Sequence, residues 1–307
     1  MKKLILFLIL ILTGCASNDL AITSLYIASI GLEVNDGEYT GYFLSTSNFS
    51  IASSNKEDKG EVAVVKGNNI IELFNNLNQS SSLHINFHHV SSLILDEGIM
   101  NNNDIDMLIN YIINNEHVDF NIHIFTTKDD IKEILSTKNP NDESMILSFV
   151  VEPLYTKYSF YLANPPHLLN FCRDYYNKKT IHIPFIELQS LYKENDSISA
   201  SGISFYSNDC FEYIEAKNND YIFFKSYDIV RCEELNIVFY DYKYKKTDNK
   251  ISVSASIKDD INIDELENEI LIRMSNFISK YQNIDFLNQY YYGNSYNMNI
   301  DININKI

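Results

Sequence analysis

Lys250-Ile251-Ser252-Val253-Ser254-Ala255-Ser256-Ile257, with Asp264-Glu265-Leu266-Glu267 soon after, is the stretch that decides the fold class of this 307-residue chain. Ile251, Val253, Ala255 and Ile257 alternate with serines, which predicts a strand buried on one face. Asp264 is placed to cap a helix, with Glu267 three residues on completing a capping-box pair. Ile263, Leu266, Ile270, Met274, Phe277 and Tyr281 then recur at steps of three and four, one long apolar stripe. Ile300, Ile302 and Ile304 alternate with Asp301, Asn303 and Asn305 in a last strand. With the run Leu235 to Tyr244 ahead of it, this C-terminal strand–long helix–strand unit predicts an α+β layer whose helix covers one sheet face.

The same reading extends upstream. Leu20 to Val34 is a long apolar stretch, and Asn35-Asp36-Gly37 is a strong turn signal before Glu38 to Ser45, which predicts a β-hairpin. Ser45 to Gly60, rich in Ser, Asn and charge, reads as a loop. Ile70, Leu73, Phe74 and Leu77 fall at helical spacing, as do Ile105, Leu108, Ile109, Ile112 and Ile113, with Asp104 as the N-cap of the second run. Ile85 to Leu95 and Asp119 to Thr126 have strand composition, and a short helix is expected from Asp129 to Leu135. Asn139-Pro140-Asn141-Asp142 is a breaker, and Pro165-Pro166 opens a helix through about Tyr176. Ile181 to Ile186 is extended around Pro184, and Gly202 to Tyr206, Phe211 to Ala216 and Tyr221 to Phe224 read as a meander. The chain is therefore α+β and multi-domain, with mixed sheets and helices packed on one face. Its expected parts are a leader at 1–14, an N-terminal region at 15–218 with a sub-boundary suggested near 138–144, and a C-terminal domain at 219–307.

The first residues, Met-Lys-Lys-Leu-Ile-Leu-Phe-Leu-Ile-Leu-Ile-Leu-Thr-Gly-Cys, place the rest of the chain. Lys2 and Lys3 form a basic start, and Leu4 to Leu12 is an unbroken apolar run. At about 1.5 Å per residue that run covers only about half of a bilayer core, so a cleaved secretory leader is the natural reading. Leu12-Thr13-Gly14-Cys15 reads as a bacterial lipobox, in which small residues admit a signal peptidase and the Cys15 thiol accepts a diacylglyceryl group. The competing reading is an ordinary signal peptide with an incidental cysteine. At roughly 0.8 kcal/mol per buried CH₂, one acyl chain anchors marginally and two or three anchor stably. The mature chain would then stay on the outer face of a cell or spore inner membrane, with its body close to the bilayer.

Composition narrows the function. The chain has 24 Lys+Arg against 41 Asp+Glu, a formal net charge of −17, and loss of Lys2 and Lys3 makes the body more acidic still. Such a chain gains nothing from nucleic-acid phosphates or anionic headgroups, so no nucleic-acid partner is expected and attachment is assigned to the lipid, helped by protein partners, and not to a basic surface. After Cys15 there remain Cys172, Cys210 and Cys232, an odd number without C-x-x-C spacing, which read as small buried hydrophobes. The dinucleotide, P-loop, G-x-S-x-G and H-E-x-x-H patterns are absent. His84, His88 and His89 are the one metal-like group. On an extended strand His84 and His88 would stand about 13 Å apart and His88 and His89 would point to opposite faces. No metal, cofactor or catalytic residue is therefore expected, and His89 reads as a structural, hydrogen-bonded residue. Asp129-Asp130 and Asp259-Asp260 sit at helix starts, where the dipole favours them. Tyr290-Tyr291-Tyr292 reads either as a binding surface or as a loop with partly buried rings.

Taken in order, these elements resemble the Ger(x)C family, the lipoprotein C subunit of GerA-type nutrient germinant receptors, over most of the mature chain. Leu20-Ala21-Ile22 and Ile30-Gly31-Leu32-Glu33 resemble its opening strand, and Phe87-His88-His89-Val90 through Leu95-Asp96-Glu97-Gly98 its Phe-Ser-His strand and acidic turn. Ile112 to Asn121 and Asp130 to Leu135 are similar to its next helix end and short helix. Ile183-Pro184-Phe185-Ile186 and Gly202-Ile203-Ser204-Phe205 are similar to two middle-region markers. Ser252 to Ile257, the Asp264 helix and Ile284-Asp285-Phe286-Leu287 resemble its C-terminal domain. The family usually has Trp-Asp after the lipidated cysteine where Ala16-Ser17 stand here, and the segment before the last strand is shortened. The resemblance implies a non-enzymatic, membrane-anchored subunit of a spore germinant receptor that works beside integral-membrane A and B type subunits in nutrient-triggered germination, as a scaffold or coupling component. A lipoprotein solute-binding protein of a transporter is the alternative, and it calls for two α/β lobes around a cleft.

Overall fold

The computed structural model describes residues 24–45, 62–101, 104–114, 118–137, 166–192, 195–207, 210–215, 219–224, 226–232, 235–247, 250–281 and 299–307. The leader with Cys15, the loop at Ser45 to Gly60, the Asn139-Pro140 breaker and the tyrosine run at Tyr290 lie wholly or almost wholly outside those residues. The first strand, β1 (Ser24–Asn35), and β2 (Glu38–Ser45) form the expected hairpin. Asp36 and Gly37 take φ of 51° and 81°, the double left-handed turn that matches the twist of paired strands. β3 (Val62–Gly67) extends the hairpin antiparallel.

From there the chain switches to parallel pairing. Helix α1 (Ile70–Ser80) is followed by β4 (His84–Asn86) and β5 (Ser92–Asp96), both parallel to β1. The expected single strand at Ile85 to Leu95 is thus two strands. A turn closed by Val90 N–H donating to Phe87 C=O (3.2 Å) interrupts it, because Asn86 Oδ1 takes the His88 N–H in place of a ladder partner. Helices α2 (Glu97–Asn101) and α3 (Ile105–Ile113) lead to β6 (His123–Thr127), parallel to β5. α4 (Ile131–Ser136) and α5 (Leu168–Tyr176) lead to β7 (Ile181–Tyr192), and β8 (Asn195–Ser207) and β9 (Cys210–Glu215) finish antiparallel. The nine-stranded sheet runs β3-β2-β1-β5-β6-β7-β8-β9, with β4 against β1.

A second sheet of four strands runs β10 (Tyr227–Cys232), β11 (Ile237–Thr247), β12 (Lys250–Ile257) and β13 (Asn299–Lys306). β13 pairs parallel with β12, Ile251 opposite Ile300, and α6 (Ile263–Lys280) lies between them in sequence. Leu266, Ile270, Met274, Phe277 and Ile278 of α6, with Tyr281 at its C-cap, are buried in one cluster with Ile251, Val253, Ala255 and Ile257 of β12. The cap differs from expectation. Asn262, not Asp264, is the N-cap, its side chain accepting from Asp264 N–H at 3.2 Å. Glu267 is pulled away from any capping box to accept the Ile304 N–H at 2.7 Å, satisfying a donor on the edge strand β13. Tyr221 to Phe224 belongs to a 3₁₀ helix (Asn219–Phe224) rather than a strand, with Ile222, Phe223 and Phe224 buried and Asp220 held 3.0 Å from Arg273 of α6.

Two apolar clusters result. One lies where α1, α3 and α5 cover the first sheet and includes Ile30, Leu32, Phe74, Ile109 and Phe171. The other begins where α4 packs on the opposite face and continues through Ile203 and Phe205 to Phe223, Phe239 and the α6 stripe. The helices of the first sheet therefore sit on both faces, not one. Gly31 is what admits α4: a Cβ there would come within 2.1 Å of Ile131 Cγ2.

Gly31→Ala is expected to destabilise by about 1–3 kcal/mol, since a β-branched side chain on a helix has no easy rotamer to yield to. Phe277→Ala, 4% exposed in the parent, is expected to cost about 3–5 kcal/mol. Urea midpoints at unchanged slope are the measurement, and a shift below a few tenths of a kcal/mol for either variant would contradict the packing described.

Candidate functional site

Parallel strands that leave a sheet side by side put their carboxyl ends, and the loops after them, around one crevice. Here β1, β5 and β6 deliver Glu33, Asn35, Asp96, Glu97, Thr127, Lys128, Asp129 and Asp130 to a cleft of about 440 Å³, with Tyr42 of β2 as a further wall. Glu33 points to the same side of the sheet as Gly31, two residues earlier, so the cleft opens beside the start of α4.

Each carboxylate has a structural partner. Asp96 Oδ1 accepts the Ile99 N–H at 2.9 Å, where α2 begins. Burial pushes the Asp96 carboxyl up and the nearby Glu33 charge adds to the rise, while backbone N–H groups of Ile99, Gly98 and Val34 oppose it. Glu33 Oε1 accepts the Tyr42 hydroxyl proton at 2.6 Å, and burial, then Glu33, moves that phenol far above its ordinary range. Glu97 lies 3.2 Å from Lys128, whose ammonium stands 5.4 Å from the centre of the Tyr213 ring. Asp129 accepts the Leu188 N–H at 2.7 Å, tying the start of α4 to β7, and Asp130 caps α4 through Glu133 N–H at 3.1 Å. Thr127 Oγ1 donates to Ile186 C=O at 2.8 Å. The cleft is an electronegative crevice whose side chains hold the loops in place.

Asp104 shows the same economy. The expected N-cap of α3 makes no side-chain cap bond, and its Oδ2 instead accepts the Tyr39 hydroxyl at 2.6 Å, with Asp104 buried. Burial first, then that bond, raises the Tyr39 phenol to about 12.

The sequence-singled histidines are at the other end of the sheet. His84 opens β4, His88 and His89 lie in the β4–β5 turn, and all three are exposed. His89 packs edge-on to Tyr26, ring centres 5.0 Å apart. Among the described residues no group of three His, Cys, Asp or Glu side chains is placed to hold a metal ion. A second histidine pair lies at the start of β6: the rings of His123 and His167 are 4.3 Å apart, with His167 Nδ1 3.2 Å from Asn121 C=O. Their spacing in the chain carries no signal, since β6 and the start of α5 are brought together only by the fold. Cys172 and Cys232 are buried, Cys210 is half-buried and all three are free thiols. Burial pushes the Cys172 thiol up to about 11.

Residues 23–188 match the family model described as spore germination protein N-terminal domain. A solved structure described as "Crystal Structure of the GerBC protein" aligns with 91% of this chain and 96% of its own, at a TM-score of 0.47 and 12% identity. No curated protein sequence matches the chain.

The raised Asp96 carboxyl makes a pH prediction. A carboxyl whose folded value lies above its unfolded value, 3.8, costs stability as pH rises from the unfolded value through the folded one. Asp96→Asn removes that cost and keeps an oxygen for Ile99 N–H. Its urea midpoint is expected to gain on the parent as pH rises through that window, then to hold a constant lead at neutral pH. A lead that is largest in acid would contradict the assignment.

Proposed function

The chain belongs to the spore germination protein family whose N-terminal domain it carries, and from that premise we propose that it is the lipid-anchored C-type subunit of a nutrient germinant receptor. Cys15 is the lipidation site, and the body stands on the outer face of the spore inner membrane beside the two integral-membrane subunits. Its task there is to hold or couple the complex, without catalysis.

The observation that carries this reading is the extent of the family match, which begins directly ahead of β1 and runs through the parallel core of the sheet into β7. Three further features support it. The lipobox ends at Cys15, and only residues 16–23 separate it from Ser24, so the body is tethered within at most about 30 Å of the lipid. Among the described residues no helix is long and apolar enough to cross a membrane. The carboxylates of the cleft are engaged by loop N–H groups, Tyr42 and Lys128, a pattern that favours scaffolding over chemistry. The proposed division near residue 218 follows the two sheets, with β9 ending at Glu215 and β10 opening at Tyr227. The solute-binding alternative calls for two α/β lobes, whereas the second sheet is antiparallel apart from the β12–β13 pair.

Two outcomes are expected. Cys15→Ser leaves an uncleaved or soluble precursor that takes up no labelled lipid; persistent tight membrane binding of the unlabelled variant would mean that another anchor holds the chain. Deleting the gene abolishes or delays germination with one class of nutrient, leaves sporulation and heat resistance intact, and lowers the membrane partners in purified spores. Normal germination with every nutrient and unchanged partner levels would falsify the receptor assignment, and loss of uptake of one solute in growing cells would support the transporter alternative.

A further inference from the structure

The charge of the first sheet's layer is divided between its two ends. Glu33, Asp36, Glu38, Asp96, Glu97, Asp104, Asp129 and Asp130 gather where β1, β5 and β6 finish. Among the described residues the opposite end, where β4, β6 and β7 begin, carries fewer: Asp119, whose Oδ1 is taken by Asn121 N–H at 2.9 Å, Asp174, whose carboxylate is held by Arg173 at 2.9 and 3.1 Å, and Glu212 on β9. Lys178 and Lys179, both exposed, precede β7, and His84, His88, His89, His123, His167 and His182 all lie at this end or just inside it.

Large apolar side chains are exposed on the same end. Phe120 is 40% exposed and Leu169 60%, and they adjoin through Leu169 N–H donating to Phe120 C=O at 3.4 Å. Leu83, ahead of β4, is 36% exposed. Basic residues and projecting aromatic and leucine side chains on one end of a domain are the combination that settles into the headgroup layer of an anionic membrane.

The tether selects this end. Ser24 pairs with His84 at the amino end of β1, and residues 16–23 are all that joins it to Cys15. Glu33 stands roughly 30 Å further along the strand, at about 3.3 Å per residue. We propose that the amino ends of β4, β6 and β7 form a membrane-contact face, with Phe120, Leu169 and Leu83 in the interface of an anionic bilayer and Lys178 and Lys179 against its headgroups. The acidic cleft then faces away from the lipid. This rests on the Cys15 anchor proposed above. It also revises the inference from net charge: an acidic average hides one end that an anionic surface does not repel.

The chain contains no tryptophan, so an introduced one is a sole reporter. Phe120→Trp and, independently, Leu169→Trp are made in the full lipidated chain, with Ile71→Trp, exposed near the acidic end, as the control. Each is reconstituted on vesicles of phosphatidylglycerol and acyl-brominated phosphatidylcholine. Flotation reads the anchor, and tryptophan quenching reads the face. At either contact position emission is expected to fall to about half or below, as burial of roughly 5–10 Å into the interface requires. Ile71→Trp stays unquenched, and Lys178→Glu with Lys179→Glu restores much of the lost emission. Protein that floats while Phe120→Trp and Leu169→Trp both stay unquenched, or are quenched no more than Ile71→Trp, overturns the contact face and leaves the anchor standing. Protein that fails to float overturns the anchor, and the orientation with it.

Discussion

Strand β1 is the constraint on which the rest of the structure depends. It is paired on both edges, with β2 on one and β4 and then β5 on the other, and it is covered on both faces. Ile30, Leu32 and Val34 enter the cluster beneath α1 and α3, while Gly31 leaves room for Ile131 of α4 on the other side. A strand so enclosed cannot shift register by one residue without exchanging its two faces, and one face has a glycine where the other has leucine and isoleucine. The neighbouring parallel strands are indexed to it, Leu93 and then Ile124 lying level with Ile30. A buried hydroxyl pair, Ser92 donating to Ser29 at 2.8 Å, sits at the same joint.

Direction along β1 is also what gives the molecule its two ends. Parallel pairing sends the carboxyl termini of β1, β5 and β6 one way, and the loops there collect acidic residues that cap helices and bind backbone N–H groups. The amino termini face the other way, with histidine and lysine in their connections. Net charge alone conceals this, because a total is blind to a sheet that sorts its loops by strand polarity. The second sheet is built on a different device. There α6 closes the parallel β12–β13 pair, Arg273 bridges Glu269 and Asp220, and Glu267 guards the edge of β13.

Features written as local period were legible in the sequence. The Asn35-Asp36-Gly37 turn, the α1 and α3 stripes, the β12 alternation and the α6 stripe all appear where periodicity puts them. Features decided by competition between partners were not. Glu267 and Asp104 carry capping spacing, yet a strand N–H and the Tyr39 hydroxyl, each distant in sequence, outbid the local helix ends. β7 continues to Tyr192, beyond the expected Ile186, because β8 supplies ladder partners to a stretch whose own composition is polar. In the 3₁₀ helix at Asn219, Tyr221 to Phe224 has the composition of a strand because a short apolar run carries no period. The cleft was invisible for a further reason: Glu33, Asp96 and Asp129 are brought together only by strand order, which residue spacing does not encode.

The central claim is that this chain is one member of a membrane complex and not a free-standing binding protein. Affinity purification of the protein, tagged after Ile307 and extracted from spore inner membranes in mild detergent, tests it most directly. The account predicts that two multi-span membrane proteins of the same receptor co-purify with it in fixed proportion. Recovery of the lipoprotein alone, or with an ATPase and a permease, would contradict it.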